Sequence, residues 1–369
     1  MTTSPHSLIS PTANPVLERA LRDKLRRRSQ AAGSLGELEP LAIRLGLMQN
    51  TLKPRLHEPQ IVVFAADHGL VVDGIVPPEQ PPTHETVRRL LAGRLPLPVF
   101  ARLQHMRLTV VDAGMADAVA LPHEHLLVRK IAHGTRNCRV GAAMNLDQAH
   151  AALRAGMEIG DALDGNAVAC AGLGVGASES AALVLSRLCD RPLRELLLRS
   201  PDMPAEELDH LLLVGQAAQA RHREVQDAIE VLASFGGFEI AMITGLMLVA
   251  ASKRHLVLVD GLPALAALAV ACRVAPPVID YCVFSRSHGR PSLDHALQCL
   301  HASALLEVGL DSVDGTGAPL AWPLVRGAAA LLTEVAEGEE AGPSRPGVSA
   351  SLMPTLSDEL PTVGVPTVA

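Results

Sequence analysis

Short runs of apolar residues recur along the chain, and Asp or Gly follows soon after each run. Because hydrophobic and polar residues do not alternate within these runs, they predict strands that are buried on both faces. Between them lie longer segments in which apolar residues recur at helical spacing. The predicted strands are 61–65, 108–111, 167–170 and 256–259, and the predicted helices include 83–103, 146–163, 178–188, 240–251 and 322–337.

Strands that alternate with helices predict an α/β fold, with a parallel sheet and helices on both of its faces. Segment 16–52 differs, because its helical spacing is broken at Gly33 and Ser34 and predicts a pair of helices. Residues 338–369 are rich in Gly, Pro, Ser and Glu, and we expect a disordered tail there. In a parallel sheet, ligands bind beyond the carboxyl ends of the strands. The residues that follow the predicted strands are therefore the candidate site.

The composition argues against two classes of partner. A net charge of -7, a pI near 6.1 and 2% aromatic residues are not typical of a nucleic-acid-binding protein. No apolar stretch is long enough to cross a membrane, and the N-terminus lacks the apolar core of a signal peptide. The six cysteines are far apart without a CxxC pair, which predicts mostly buried, reduced thiols and no structural zinc. We therefore expect a cytoplasmic protein.

Two of the predicted strands end in residues that suit a ligand site. Asp67, His68 and a glycine follow the first strand. The third strand runs into a glycine-rich loop, which holds Gly174, Val175 and Gly176 and is followed by Ser178 at the start of a helix. Backbone N–H groups at such a helix N-terminus favour a bound phosphate. Either segment is also compatible with a simple turn, and the glycine spacing matches neither a Walker A loop nor GxGxxG.

Three further segments combine a carboxylate with glycine. Gly237 and Glu239 begin an apolar helix, Asp260 and Gly261 end the last predicted strand, and Asp314 opens a loop that contains Gly315 and Gly317. Taken singly, each is explained by helix capping or a turn. A parallel sheet would bring all of them to one edge, and together they predict an enzyme site.

These segments, in this order, resemble the nicotinate-nucleotide:dimethylbenzimidazole phosphoribosyltransferase family. The similarity covers roughly residues 16–335, and the GGFEIA sequence at 236–241 and VDG at 259–261 are its most specific parts. The matching stretches are 33–36, 62–69, 108–114, 128–132, 134–135, 174–176, 235–241, 245, 257–261, 309–310 and 315–318.

The resemblance implies a Rossmann-like large domain, a small helical domain built from both chain ends, and a homodimer. On this basis we expect a flexible N-terminus at 1–15, small-domain helices at 16–55, the large α/β domain at 56–320, and a C-terminal small-domain helix at 321–337. The implied reaction transfers phosphoribosyl from nicotinate mononucleotide to 5,6-dimethylbenzimidazole, giving α-ribazole 5'-phosphate and nicotinate for cobalamin synthesis. It requires no metal and no cofactor.

The resemblance also implies roles for individual residues. Asp314 is the expected catalytic base, because the family has a Glu at this position. The expected substrate-binding residues are Asp67, His68, Glu85, Gly174, Val175, Gly176, Ser178, Gly237, Glu239, Asp260, Gly261, Gly315 and Gly317.

The candidate site departs from the family pattern more than the scaffold does. Asp314 is one methylene shorter than the family's Glu, and Gly172 and Glu85 stand where the family has Glu and Gln. Residues 177–179 replace a polar Asn-Thr-Thr, and segments 30–32 and 285–291 also differ. Three interpretations remain open: an active transferase, an impaired relative that binds a nucleotide or benzimidazole as a sensor or partner subunit, and a nucleotide-cofactor enzyme of other chemistry.

Segment 285–291 carries three basic residues, Arg286, His288 and Arg290. They are candidates for new phosphate contacts, and an exposed basic loop is the alternative.

Overall fold

A computed structural model describes residues 9–77, 79–119, 122–197, 203–287, 291–310 and 312–335. The strands are β1 Gln60–Ala66, β2 Arg107–Gly114, β3 Leu126–Val128, β4 Ala167–Leu173, β5 Leu256–Val259, β6 Cys282–Ser287 and β7 Ala304–Glu307. The helices are α1 Pro15–Ala32, α2 Leu38–Met48, α3 Thr83–Leu91, α4 Pro96–Leu103, α5 Leu146–Asp161, α6 Ala177–Cys189, α7 Leu193–Leu196, α8 Ala205–Arg221, α9 Ala228–Phe235, α10 Phe238–Ser252, α11 Leu262–Val274, α12 Pro291–Cys299 and α13 Gly317–Thr333. The predicted tail at 338–369 lies outside the described residues, as do residues 1–8 of the predicted flexible N-terminus.

The strands form one sheet in the order β3-β2-β1-β4-β5-β6-β7, and every adjacent pair is parallel. The predicted α/β class with a parallel sheet is confirmed. Strand order reverses between β1 and β4, because the chain adds strands outward on one side of β1 and then on the other. In open sheets of this kind the crevice beside such a reversal is the usual place for a ligand.

All four strands predicted from apolar runs are present, and three other strands were missed. Each of the seven residues of β1 is buried, as the unbroken apolar run indicated. The missed strands lack that pattern: β3 has only three residues and an exposed Val128, β7 lies at the sheet edge, and β6 contains Ser285 and Arg286. Their pairing with neighbouring strands, which the sequence does not show, defines them.

The helix predictions need two corrections. The segment 83–103 is two helices rather than one, since Gly93 adopts φ +70° and Pro96 begins α4. The last helix begins at Gly317, five residues before the predicted Trp322. It ends at Thr333, four residues before the predicted Glu337. The predicted break between α1 and α2 is confirmed.

Helix α10 packs closely against α5 under the sheet. Glycines allow this approach, because a Cβ atom at Gly156 would lie 1.9 Å from the Met242 carbonyl oxygen and one at Gly245 would lie 2.1 Å from that of Leu153. Nearly all of α10 is buried, including Glu239 in its first turn. The close packing holds the N-terminus of α10 firmly beside the carboxyl ends of the central strands.

The helices from the two chain ends pack on one another. Helices α1, α2 and α13 are mutual neighbours, and the buried guanidinium of Arg28 donates to the carbonyl of Leu331. Helix α13 runs without interruption across the boundary expected at residues 320 and 321. The division into a large and a small domain stays a prediction.

The structure also bears on two expectations from the sequence, the burial of the cysteines and the lack of a membrane-spanning segment. Cys138, Cys170 and Cys282 are buried, whereas Cys189, Cys272 and Cys299 are partly exposed, so the expectation of mostly buried thiols holds for half of them. Within the described ranges no helix is both long enough and apolar enough to span a bilayer.

Candidate functional site

A cavity of about 250 Å³ opens beyond the carboxyl ends of β4 and β6. One wall is apolar and consists of Leu173, Leu262, Pro263, Leu293, Leu310 and Val313. The polar lining includes Gln80, Ser178, Arg286, Ser312 and Asp314. Three larger hollows, of about 640, 750 and 290 Å³, lie near His105, Arg191 and Arg22, away from these strand ends.

The glycine-rich loop connects β4 to α6 at the cavity edge. Gly174 lines the cavity, and a Cβ atom there would lie 1.7 Å from the carbonyl oxygen of Ala66. Gly176 adopts φ +86° immediately before α6. Val175 binds the end of β1 through its carbonyl, which accepts from the His68 N–H at 3.2 Å. The loop therefore brings the N-terminus of α6, with Ser178, against the cavity.

His68 and Glu239 form a buried pair behind this loop. His68 Nε2 lies 2.9 Å from Glu239 Oε1, and the two side chains are 2% and 0% exposed. Burial disfavours the charged imidazole, but Glu239, Asp67 and Glu179 outweigh that effect and raise the pKa of His68. Glu239 Oε2 has no hydrogen-bond partner among the described residues. Neither side chain lines the cavity.

Gly237 is required by that pair. A Cβ atom at Gly237 would lie 2.2 Å from Glu239 Oε2 and 2.3 Å from His68 Cε1. The GGFEIA sequence thus supplies the Glu239 carboxylate together with the glycine that leaves room for it and for the imidazole of His68.

Asp67 connects three segments near the end of β1. Its Oδ2 accepts from the Ala116 N–H at 2.7 Å, and its Oδ1 accepts from the Thr83 hydroxyl. The same Thr83 hydroxyl accepts from the Val175 N–H at 3.0 Å. Asp67 thereby supports the glycine-rich loop from outside the cavity.

Glu179 follows the loop in the first turn of α6. It adds an acidic side chain to the helix N-terminus that is predicted to bind a phosphate. Burial raises the pKa of Glu179, against the opposing effects of its own N–H and of His68.

Glu85 lies on the surface of α3. Its carboxylate binds Arg88 at 2.7 Å and Arg89 at 2.8 Å, and these hydrogen bonds lower its pKa to about 2. Glu85 does not line the cavity.

At the opposite side of the cavity, the guanidinium of Arg286 lies between the carboxylates of Asp260 and Asp314. Arg286 Nε lies 3.0 Å from Asp260 Oδ1, and Arg286 Nη2 lies 2.8 Å from Asp314 Oδ1. Burial raises the pKa of Asp260, although Arg286 and the N–H groups of Gly317 and Gly315 oppose this effect. Asp314 is the more accessible carboxylate, with 19% of its side chain exposed, and it lines the cavity.

Three glycines make room for these charged groups. Gly261 adopts φ +95°, and a Cβ atom there would lie 2.1 Å from Asp314 Cγ. At Gly317 it would lie 2.6 Å from Asp260 Oδ1, and Gly315 adopts φ +93°. Gly261 thus makes room for Asp314 and Gly317 for Asp260, and none of these three glycines lines the cavity itself.

The structure thus brings most of the predicted site residues to one end of the sheet, in two layers. Gly174, Ser178 and Asp314 line the cavity. The others lie behind it or, for Glu85, on the surface of α3. His288 and Arg290, the other candidate phosphate contacts, lie outside the described residues.

Sequence reasoning missed the apolar wall and the ion pairs of Arg286 with Asp260 and Asp314. Leu262 and Pro263 directly follow the VDG segment, which was a usable signal. At Gly172, where the family has Glu, a Cβ atom would lie 2.5 Å from Pro263 Cβ. Pro263 therefore fills the space that a side chain at position 172 would need.

Comparisons with known proteins show which family this chain matches. A family model described as phosphoribosyltransferase matches residues 10–342. A nicotinate-nucleotide--dimethylbenzimidazole phosphoribosyltransferase of Cupriavidus taiwanensis is 40% identical over 334 residues, covering 89% of this chain and 95% of that protein. One from Janthinobacterium sp. is 36% identical over 337 residues, covering 90% and 97%. A crystal structure of the enzyme of that name from Thermus thermophilus superimposes with a TM-score of 0.82 at 31% identity, covering 90% of this chain and all of that one.

Proposed function

This chain belongs to the phosphoribosyltransferase family that includes the nicotinate-nucleotide--dimethylbenzimidazole phosphoribosyltransferases, and from that membership we propose its reaction. The protein transfers phosphoribosyl from nicotinate mononucleotide to 5,6-dimethylbenzimidazole, giving α-ribazole 5'-phosphate and nicotinate for the nucleotide loop of cobalamin. The observation that carries the proposal is that Asp314 and the glycine-rich loop line the same cavity. A proton acceptor and an anion site thus lie within reach of one small substrate.

The glycine-rich loop and α6 are the proposed phosphate site. The N–H groups and dipole at the start of α6 favour an anion, and Gly174 and Ser178 give it access. Six further residues contribute to binding by shaping this loop. Val175 and Gly176 belong to it, and Asp67, His68, Gly237 and Glu239 hold it in place from behind. Glu85, where the family has Gln, stays a proposed contact to the base.

The apolar wall is the proposed slot for the benzimidazole. Leu262, Pro263 and Leu293 offer hydrophobic surface to a planar ring. One ring nitrogen of the base attacks the ribose C1 and forms the new C–N bond. The bond to nicotinate breaks, and its electron pair neutralises the pyridinium nitrogen that leaves.

Asp314 is the proposed general base. The attacking benzimidazole must lose the proton on its other nitrogen, and the carboxylate of Asp314 takes it up. Asp260, Gly261, Gly315 and Gly317 shape the place in which Asp314 sits. The side chain of Asp reaches less far than that of Glu. The carboxylate of Asp314 can therefore accept the proton only if neighbouring groups hold it in the right position.

The function is tested by incubating the purified protein with nicotinate mononucleotide and dimethylbenzimidazole and detecting α-ribazole phosphate by mass spectrometry. We expect turnover that depends on both substrates. Binding of the nucleotide by calorimetry without any product would contradict the proposed reaction and indicate the impaired relative. The glycine at position 172 is the specific observation that favours this second candidate.

We also propose a homodimer in the cytoplasm. Family membership supports this assignment, and the six cysteines are free thiols, which suits a reducing compartment. Sedimentation velocity at micromolar protein checks the assembly, and a monomer would contradict it.

A further inference from the structure

Arg286 is a buried arginine at the end of β6 whose guanidinium contacts three residues of two other segments. Its side chain is 5% exposed. Nε donates to Asp260 Oδ1 at 3.0 Å, Nη2 donates to Asp314 Oδ1 at 2.8 Å, and Nη1 donates to the Leu310 carbonyl at 2.5 Å. The planar group therefore links the end of β5 to both ends of the 310–314 segment.

Asp260 anchors the guanidinium. Its Oδ2 accepts from the Gly317 N–H at 3.0 Å, so both oxygens of this fully buried carboxylate are engaged. A Cβ atom at Gly317 would lie 3.0 Å from Arg286 Cδ, so the side chain is also confined by packing. A buried arginine that donates to fixed acceptors in one plane has little freedom to rotate.

Asp314 is held by Arg286, the residue that Asp260 anchors. A carboxylate on a short side chain still rotates about two bonds, and that of Asp314 packs into the space that Gly261 leaves because it has no Cβ atom. The hydrogen bond from Arg286 fixes one carboxylate oxygen and hence the direction of the group. Proton transfer depends on this direction, because a misplacement of about 1 Å costs roughly 10²-fold in rate.

A direct contact between Arg286 and the substrate phosphate suits this geometry less well. Three of its five N–H groups already donate to the two carboxylates and the Leu310 carbonyl. The carboxylate of Asp314 also lies at the cavity beside the guanidinium, and its charge opposes the approach of a phosphate.

We propose that Arg286 is a positioning residue that holds the carboxylate of Asp314 in the orientation needed to accept the benzimidazole proton, with Asp260 as its anchor. This inference rests on the proposed function. It explains how a carboxylate shorter than the family's Glu is kept in a defined place.

The test compares wild type with Arg286→Lys and with the double variant Arg286→Met/Asp260→Asn. Lysine keeps the charge but cannot donate in the forked geometry. The double variant removes the buried partner together with the arginine, so that no buried carboxylate is left unpaired. Arg273→Lys is the matched control, because Arg273 donates only to the Leu188 carbonyl in the described structure, far from the cavity.

We expect kcat to fall about 10-fold in Arg286→Lys and about 10²-fold in the double variant, while KM for nicotinate mononucleotide changes little. Arg273→Lys should retain the wild-type kcat. A merely structural role would instead lower the amount of folded protein, measured by circular dichroism, without this split between kcat and KM.

Active wild type together with an unchanged kcat in either Arg286 variant would overturn the positioning role alone. If Arg286→Lys does not fold, the double variant decides. Wild type without turnover would overturn the proposed function, and the positioning role with it.

Discussion

The two sides of the cavity use charge in opposite ways. On the β1 and β4 side, His68 and Glu239 are buried behind the glycine-rich loop, and the backbone faces the cavity. On the β5 and β6 side, the charged groups themselves reach the cavity through Arg286 and Asp314. A phosphate needs a fixed N–H surface, whereas proton transfer needs an accessible carboxylate. The difference indicates a binding side and a chemical side.

Asp314→Ala is the change that tests the chemical side most directly. Loss of the general base should lower kcat by about 10²- to 10⁴-fold, with little change in nucleotide affinity. Steady-state kinetics and calorimetry measure the two effects. Asp209→Ala, which removes an exposed carboxylate on α8, serves as the control. Turnover that survives in Asp314→Ala would rule out this residue as the base.

Glu239→Ala tests the binding side. Removal of one partner leaves His68 buried without its carboxylate, and we expect a loss of about 3 kcal/mol in the free energy of unfolding. Nucleotide affinity should also weaken, because the pair supports the glycine-rich loop. Urea denaturation measures the stability, with the exposed Glu158→Ala as control. Equal stability of the two variants would show that the pair does not support the fold.

Ser178→Asp sharpens the assignment of the phosphate site. A negative side chain in the first turn suits the dipole of α6 and should not harm stability, yet it should repel a phosphate at the same place. We expect nucleotide affinity to fall about tenfold by calorimetry. Ser178→Ala controls for loss of the hydroxyl. An affinity unchanged in Ser178→Asp would place the phosphate elsewhere.

The smallest expected effect is the pH dependence of stability on the binding side. Glu239, Asp67 and Glu179 face His68 and raise its pKa against the effect of burial. The stabilisation is therefore fully present below the ordinary pKa of about 6.5 and is lost as the pH rises through the raised value. Urea denaturation should show that wild type has a larger free energy of unfolding than Glu239→Gln below a pH of about 6.5. This difference should shrink as the pH rises through the raised pKa of His68. An advantage that grows with pH would contradict this sign.

Particular elements show how far the sequence could be read. The runs that became β1, β2, β4 and β5 were recognisable because both faces of a central parallel strand are covered, so nearly every residue of these runs is apolar. Strands β3, β6 and β7 were not recognisable, since their place depends on pairing with a neighbour. Gly93 and Pro96 were a readable signal for the break between α3 and α4, and the helical spacing on both sides concealed it.

For the candidate site, the sequence by itself determined which residues belong near the strand ends. Asp260 and Asp314 are 54 positions apart, yet each follows an element whose end a parallel sheet brings to the same edge. The tertiary structure alone decided which of these residues reach the cavity. A carboxylate is accessible or buried according to its neighbours in space, and those neighbours are Arg286 for Asp314 and His68 for Glu239. Such contacts between distant segments leave no pattern in the order of residues, because packing and not chain spacing creates them.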